Sequence, residues 1–363
     1  MLIFTGANTA LFMLIQNLQA NFYDLRSAKD KKIFEVHPHS KKNRYQPLIT
    51  VILYVYNHQD KVSDSINSIV KNRYQHIQLI VINDASNDNS KPILSKIKRQ
   101  NAAIKVINKR RHLGKRQAYL DVRSFIKGEI VYLLDASYII DNKGFKTTAQ
   151  YFNHNSDLIG IKPELAIKAT QSLSDILQSY TFYMTNHIHK SSSLSHYTDD
   201  QPFVIKKSHI RELLSDYDLN MKYGAGVTLY KTSTASLWQL SRHMMSYHLT
   251  DFKRLLKRSY ELKMPIRKYG RLLSNINKLI YSILLPAVLG YICYLSVRLG
   301  QPLLYLTGLL ILILYLSSIT INSNISVKEK VKSLVLMPAV YPFAVALILI
   351  KPIIILRSLI SRA

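Results

Sequence analysis

The chain has 363 residues, 49 Lys and Arg against 22 Asp and Glu, a formal net charge of +27, and 48% hydrophobic residues. That charge calls for an anionic partner: nucleic acid, an acidic membrane face or a phosphorylated substrate. The single cysteine, Cys293, excludes an internal disulfide framework and a cysteine-based zinc site, and its apolar neighbours read as the setting of an inert buried thiol.

The first stretch, MLIFTGANTALFMLIQNLQANFY, lacks the basic start and small-residue cleavage site of a secretory signal. An interfacial helix and a short membrane helix both fit it. From Leu48 the pattern becomes strands alternating with amphipathic segments, which predicts βαβ units and a mainly parallel sheet. LITVILYVYN (48–57) is an apolar, β-branched strand, and DKVSDSINSIVKN (60–72) puts Val62, Ile66, Ile69 and Val70 on one helical face. IQLIVIND (77–84) is a second strand ending in Asp84. SKPILSKIKRQ (90–100) is a helix with Pro92 in its first turn, where a missing N–H costs nothing. AIKVINK (103–109) and GEIVYLLDAS (128–137) complete a set of four strands. Asp84 and Asp135 thus fall at carboxyl ends of strands, where open α/β sheets bind ligands.

The C-terminal part differs in kind. The stretches 279–297 and 302–321 are each long and apolar enough for a bilayer-spanning helix of about 20 residues. A third, 334–356, contains Pro338, Pro342, Lys351 and Pro352, and spanning, kinking and partial interfacial placement all fit it. The segment 253–278 before them is rich in Lys and Arg, as a helix on anionic lipid would be. Lys328, Lys330 and Lys332 lie between the second and third stretches, whereas the loop between the first two offers only Arg298. The positive-inside rule then places the long polar portion in the cytoplasm of a multi-pass cell-membrane protein. Because the cations concentrate beside apolar segments and no nucleic-acid module is recognisable, nucleic acid is set aside as the partner.

The order of ITVILYVYN, LIVINDASNDNS, GKRQA and GEIVYLLDAS resembles the membrane-bound family 2 glycosyltransferases, which include hyaluronan, chitin, cellulose and poly-N-acetylglucosamine synthases. The resemblance implies an α/β GT-A fold, a nucleotide-sugar donor (usually UDP-linked) and a divalent metal, Mg²⁺ or Mn²⁺. The organisation it implies is an N-terminal interfacial or short membrane segment with linker (1–46), a cytoplasmic GT-A domain (47–250), a basic interfacial segment (251–278) and a transmembrane region of two or three helices (279–363).

Residue by residue, Asp84 of VINDASNDNS matches the acid that holds the nucleoside, and Asn83 stands where a second acid often occurs. Tyr56 and Asn57 match positions lining the nucleotide pocket, with His58 where many members have Glu. Lys115 matches a basic residue near the nucleotide. LLDAS resembles the metal-binding D-x-D motif, with Asp135 as the ligand and Ser137 in place of the second acid. Hard cations want charged oxygen ligands, so three outcomes stay open: a metal held by Asp135 with phosphates and waters, weakened metal binding, or lost activity.

SDYDLN resembles the segment carrying the general base. Asp216 is the match there, Ser215 replaces the usual Glu, and Asp200 of YTDDQ is the alternative base. WQLSRHMM resembles the Q-x-x-R-W motif of processive synthases. Gln239 and Arg242 match and His243 replaces the Trp; the planar fork of Arg242 suits paired phosphate oxygens. The implied reaction moves a sugar, with inversion, to a polysaccharide or lipid-linked acceptor beside membrane lipids and possible accessory membrane subunits. The rival expectation is a diverged, catalytically weak or inactive member that serves an active synthase as its membrane partner.

Overall fold

The computed structural model describes residues 45–155, 157–167, 202–211 and 222–231, together with Tyr294, Arg298 and Val331. The chain divides into two compact units, and every element named below lies in the unit formed by residues 20–169 and 182–233.

Eight strands make one sheet: β1 (Ile49–Val55), β2 (Ile77–Asn83), β3 (Lys105–Asn108), β4 (Ile130–Asp135), β5 (Tyr138–Ile140), β6 (Gly160–Ile167), β7 (Phe203–Lys206) and β8 (Lys222–Lys231). Their order is β3-β2-β1-β4-β7-β6-β8-β5. The helices are α1 (Val62–Val70), α2 (Ser90–Gln100), α3 (Lys115–Asp121) and α4 (Gly144–His154).

The β3-β2-β1-β4 half is parallel throughout, as the βαβ reading expects. Its central strand, β1, is buried at all seven positions, which is why ITVILYV reads as a continuous apolar run with no alternation. Its side chains serve two cores. Ile49, Val51, Leu53 and Val55 pack with α1, α2 and α4 on one face, while Ile52 and Tyr54 pack with Ala118, Tyr119 and Val122 on the other.

The other half is mixed. β7 pairs antiparallel with both β4 and β6, β8 runs parallel to β6, and β5 closes the edge antiparallel to β8. "Mainly parallel" therefore holds for the first half only. FVIK forms the short β7, and AGVTLY lies within the ten-residue β8, whose pairing with β6 changes register between Pro163 and Glu164.

The α1 face also needs one correction. Val62, Ile66 and Ile69 are buried, each contributing roughly 1.5–3 kcal/mol, whereas Val70 is 45% exposed. At about 100° per residue, position 70 falls well to the side of the stripe formed by 62, 66 and 69.

Among the described residues, no helix is long and apolar enough to cross a membrane. The N-terminal stretch, the basic segment 253–278 and the three apolar segments of the C-terminal part lie outside the described residues, apart from Tyr294. That residue is helical, and its hydroxyl accepts a hydrogen bond from Arg298 Nη1 at 2.7 Å.

Candidate functional site

Parallel pairing sets the level at which the strands end. Val55 lies opposite Asn83, and Tyr54 opposite Asp135, so the acids at the ends of β2 and β4 flank β1 from either side. The loops leaving β1 and β2 are sewn together above it. Asn57 N–H donates to Ser86 Oγ at 3.1 Å, and Asn57 Oδ1 accepts Asn87 N–H at 2.9 Å. Gln59 N–H donates to Asp88 Oδ2 at 2.9 Å, and Gln59 Oε1 accepts Asn89 N–H at the same distance. Asn57 and Ala85 hold left-handed φ values of 54° and 57°, which asparagine tolerates better than most residues and alanine does not.

Asn83 explains its own presence. Its Oδ1 accepts Ser86 N–H and Oγ–H at 3.2 and 2.6 Å, while its Nδ2 donates to Asn108 Oδ1 at 2.9 Å. A carboxylate has no hydrogen to donate to Asn108.

Asp84 is fully buried, and its carboxylate is used up by the chain. Tyr54 Oη–H donates to Oδ2 at 2.9 Å, and Gly114 N–H to the same oxygen at 2.8 Å. Leu113 N–H reaches both oxygens at 3.2 Å, and His112 Nδ1 lies 2.9 Å from Oδ2. Burial and the neighbouring Asp84 charge push the Tyr54 phenol up, so it stays protonated as a donor. Asp84 thereby clamps the loop between β3 and α3. Gly114 makes the turn at φ 86° and ψ 165°, a backbone region essentially restricted to glycine. The same loop lays the His112 ring on Tyr56, with centroids 3.8 Å apart and planes 21° from parallel.

One residue beyond Gly114, Lys115 reaches back across β1 and pairs with Asp135 at 2.8 Å. Asp135 is 9% exposed, and its second oxygen accepts Ser137 N–H at 2.9 Å and the Ser137 hydroxyl. Lys231, the last residue of β8, arrives from the far half of the sheet because it is the register partner of Tyr138, and it also lies over the Tyr138 ring. Lys61 stands at the start of α1 within electrostatic reach of the same carboxylate.

Burial alone would raise the Asp135 carboxyl, yet Lys115, His58 and Lys231 hold it well below the usual carboxylate range. His58 is lowered first by burial and further by Lys61, Lys115 and Lys231, against the pull of Asp135.

The structure brings together five of the residues singled out from sequence: Tyr56, Asn57, Asp84, Lys115 and Asp135. Asp200, Asp216, Gln239 and Arg242 lie outside the described residues. Sequence reasoning passed over Tyr54, His112, Gly114, Lys61 and Lys231. Gly114 and His112 carried a faint signal, since HLG immediately precedes the singled-out Lys115. The two lysines carried none among 49 basic residues.

A divalent ion at Asp135 meets a poor donor set. There is one carboxylate with both oxygens engaged, a hydroxyl that donates to it, and ammonium groups around it. Among the described residues, no group of three or more His, Cys, Asp or Glu side chains is placed to hold a metal. The expected Mg²⁺ or Mn²⁺ does not fit these residues.

Comparison with known proteins places this geometry. Residues 50–214 match the profile of glycosyl transferase family 2. Over 134 residues the chain is 26% identical to a poly-beta-1,6-N-acetyl-D-glucosamine synthase of Staphylococcus aureus, an alignment covering 37% of this chain and 32% of that one. It is 37% identical over 68 residues to an uncharacterized glycosyltransferase of Haemophilus influenzae, covering 19% of this chain and 21% of the relative. The chain thus spans about a third or less of these curated relatives. In three dimensions it is similar to a mannosyltransferase from Pyrobaculum calidifontis in complex with GDP-Man and Mn²⁺. The TM-score is 0.54 at 15% identity, covering 90% of this chain and 97% of that one, a likeness of fold alone. The sheet that carries Asp84 and Asp135 is of the GT-A type, and it lies largely within residues 50–214, the stretch similar to glycosyl transferase family 2.

Proposed function

We propose that the chain is a membrane glycosyltransferase that moves a sugar from a UDP-linked donor to a polysaccharide or lipid-linked acceptor with inversion. The observation that carries this reading is the pairing of strand-end acids Asp84 and Asp135 on either side of β1, with Tyr56, Asn57 and Lys115 around them, inside the stretch similar to glycosyl transferase family 2. The poly-beta-1,6-N-acetyl-D-glucosamine synthase relative supports a polysaccharide acceptor.

In this reading the nucleoside lies on the rim made by Tyr56 and Asn57. Asp84 acts by fixing the 112–114 turn, and its carboxylate accepts from the nucleoside only where that turn yields. Lys115 faces the diphosphate, and Asp216 (or Asp200 in its stead) takes the acceptor proton as UDP leaves from the opposite face. Asp216 falls between β7 and β8 in the chain, and Gln239 and Arg242 follow β8 and support the leaving UDP. The apolar segments after residue 278 anchor the domain to the cell membrane with its active face in the cytoplasm.

Release of UDP from a panel of UDP-sugars, measured on the full chain in lipid with Asp135→Ala and Asp216→Ala beside it, tests the assignment. The expected result is release by the parent chain and loss of at least about 100-fold in both variants. Release that is unchanged in the variants removes the residue roles. A second reading, a non-catalytic partner of an active synthase, draws on the engaged oxygens of Asp135 and on Ser137. It predicts nucleotide binding without release from any donor.

A further inference from the structure

We infer that the diphosphate of the donor is held by lysine ammonium groups (Lys115, Lys61 and Lys231) gathered around Asp135, in the place where a divalent cation would otherwise bridge it. This inference rests on the nucleotide-sugar reading above.

Its first ground is geometric. Lys115, at the start of α3, pairs with Asp135 at 2.8 Å; Lys231, at the end of β8, is the register partner of Tyr138 and lies over its ring; and Lys61, at the start of α1, stands within electrostatic reach of the same carboxylate. No short sequence motif could arrange this; it requires the β5–β8 pairing that sets Lys231 opposite Tyr138.

The second ground is the state of the carboxylate. Asp135 has Lys115 Nζ on one oxygen at 2.8 Å and Ser137 N–H on the other at 2.9 Å, with the Ser137 hydroxyl beside it. A dication could reach those oxygens only by displacing the ammonium and reversing the hydroxyl, and it would then sit among like charges. Asp135 and Asp60 against Lys61, Lys115 and Lys231 leave the cluster with a net positive charge. That charge matches a nucleoside diphosphate, which bears several negative charges at neutral pH and which ammonium donors bind through short charge-assisted hydrogen bonds.

Ser137 then has a positive role. A second acid in its place would reduce the positive charge of the cluster, whereas a hydroxyl fixes the Asp135 rotamer without adding charge. Asp135 becomes a positioning residue that holds Lys115 forward.

The test is equilibrium binding of UDP, and separately of GDP, to the full chain in lipid, in EDTA and in Mn²⁺. The expected result is binding in EDTA within about twofold of that in Mn²⁺. Lys61→Gln and Lys231→Gln should each weaken binding in EDTA about tenfold, a loss typical of one charged hydrogen bond. Ser137→Asp should act in the opposite sense on metal dependence, weakening binding in EDTA about tenfold and restoring it with Mn²⁺. This variant keeps the test valid if a lysine variant proves unstable in a parallel thermal melt.

Binding that requires Mn²⁺ in the parent chain overturns the inference and leaves the nucleotide-sugar reading standing. Metal-free binding that Lys61→Gln, Lys231→Gln and Ser137→Asp all leave unchanged also overturns it. Absence of binding in both conditions overturns both.

Discussion

The ends of β2 and β4 carry the same side chain, two residues out of level across β1, yet the two carboxylates live in opposite electrical worlds. Asp84 is met by a phenol, two peptide N–H groups and an imidazole, all from its own neighbourhood and all spent on holding a loop. Asp135 is met by lysines drawn from three elements. A strand-end acid is therefore not one kind of object in this fold: the first locks the backbone, and the second concentrates charge.

The comparison breaks most readily at the acids themselves. Asp84→Ala leaves a buried hydroxyl and two N–H groups without an acceptor and should cost about 3 kcal/mol in urea unfolding. Asp135→Ala should cost less, about 1–2 kcal/mol, because Lys115, 21% exposed, can turn toward water. Equal losses would erase the distinction.

Next comes backbone space. A Cβ on Gly128 would lie 2.5 Å from Thr50 N and 2.6 Å from Leu48 O, so Gly128→Ala should destabilise by about 2–3 kcal/mol without touching nucleotide binding. At Gly114 nothing crowds a Cβ within 4 Å, and the cost is conformational. Gly114→Ala should lose about 2 kcal/mol and also weaken UDP binding, since it disturbs the turn that presents Lys115. Tyr54→Phe removes one donor to Asp84 and should cost about 1 kcal/mol by the same unfolding measurement.

The smallest effect is on pH. Asp88 is raised by burial but lowered overall by the hydroxyl of Ser90 and the N–H groups of Gln59 and Ser90. With its folded value depressed, its contribution is present above the unfolded carboxylate value of about 4 and fades as pH falls through the folded one. Asp88→Asn should flatten that acid limb of the stability curve, read by urea midpoints from pH 6 downward.

Much of the parallel half was legible because burial on both faces writes long apolar runs: β1, β2 and β4 announce themselves, and each acid follows directly from a strand end. The mixed half was not. β6 carries Lys162, Pro163 and Glu164 in mid-strand, which breaks both the alternation and the apolar run that mark strands, and β5 is only three residues long. The site divided along the same line. Asp84, Asp135 and Lys115 were readable from neighbouring residues, whereas Lys231 gains meaning only from a strand pairing across about 90 residues of chain. Asp84 itself was read as a ligand for the nucleoside, and the donors now found around it give it a constructional duty in addition.

The stitching of the β1 and β2 loops has a consequence for anyone who would re-engineer the domain. Asn57, Gln59, Ser86 and Asp88 answer one another across the gap, so the two loops form a single heritable module. Exchanging either loop alone with a homologue would leave half of a lock without its key. Chimeras that swap 56–59 and 83–90 together should retain expression where single swaps fail.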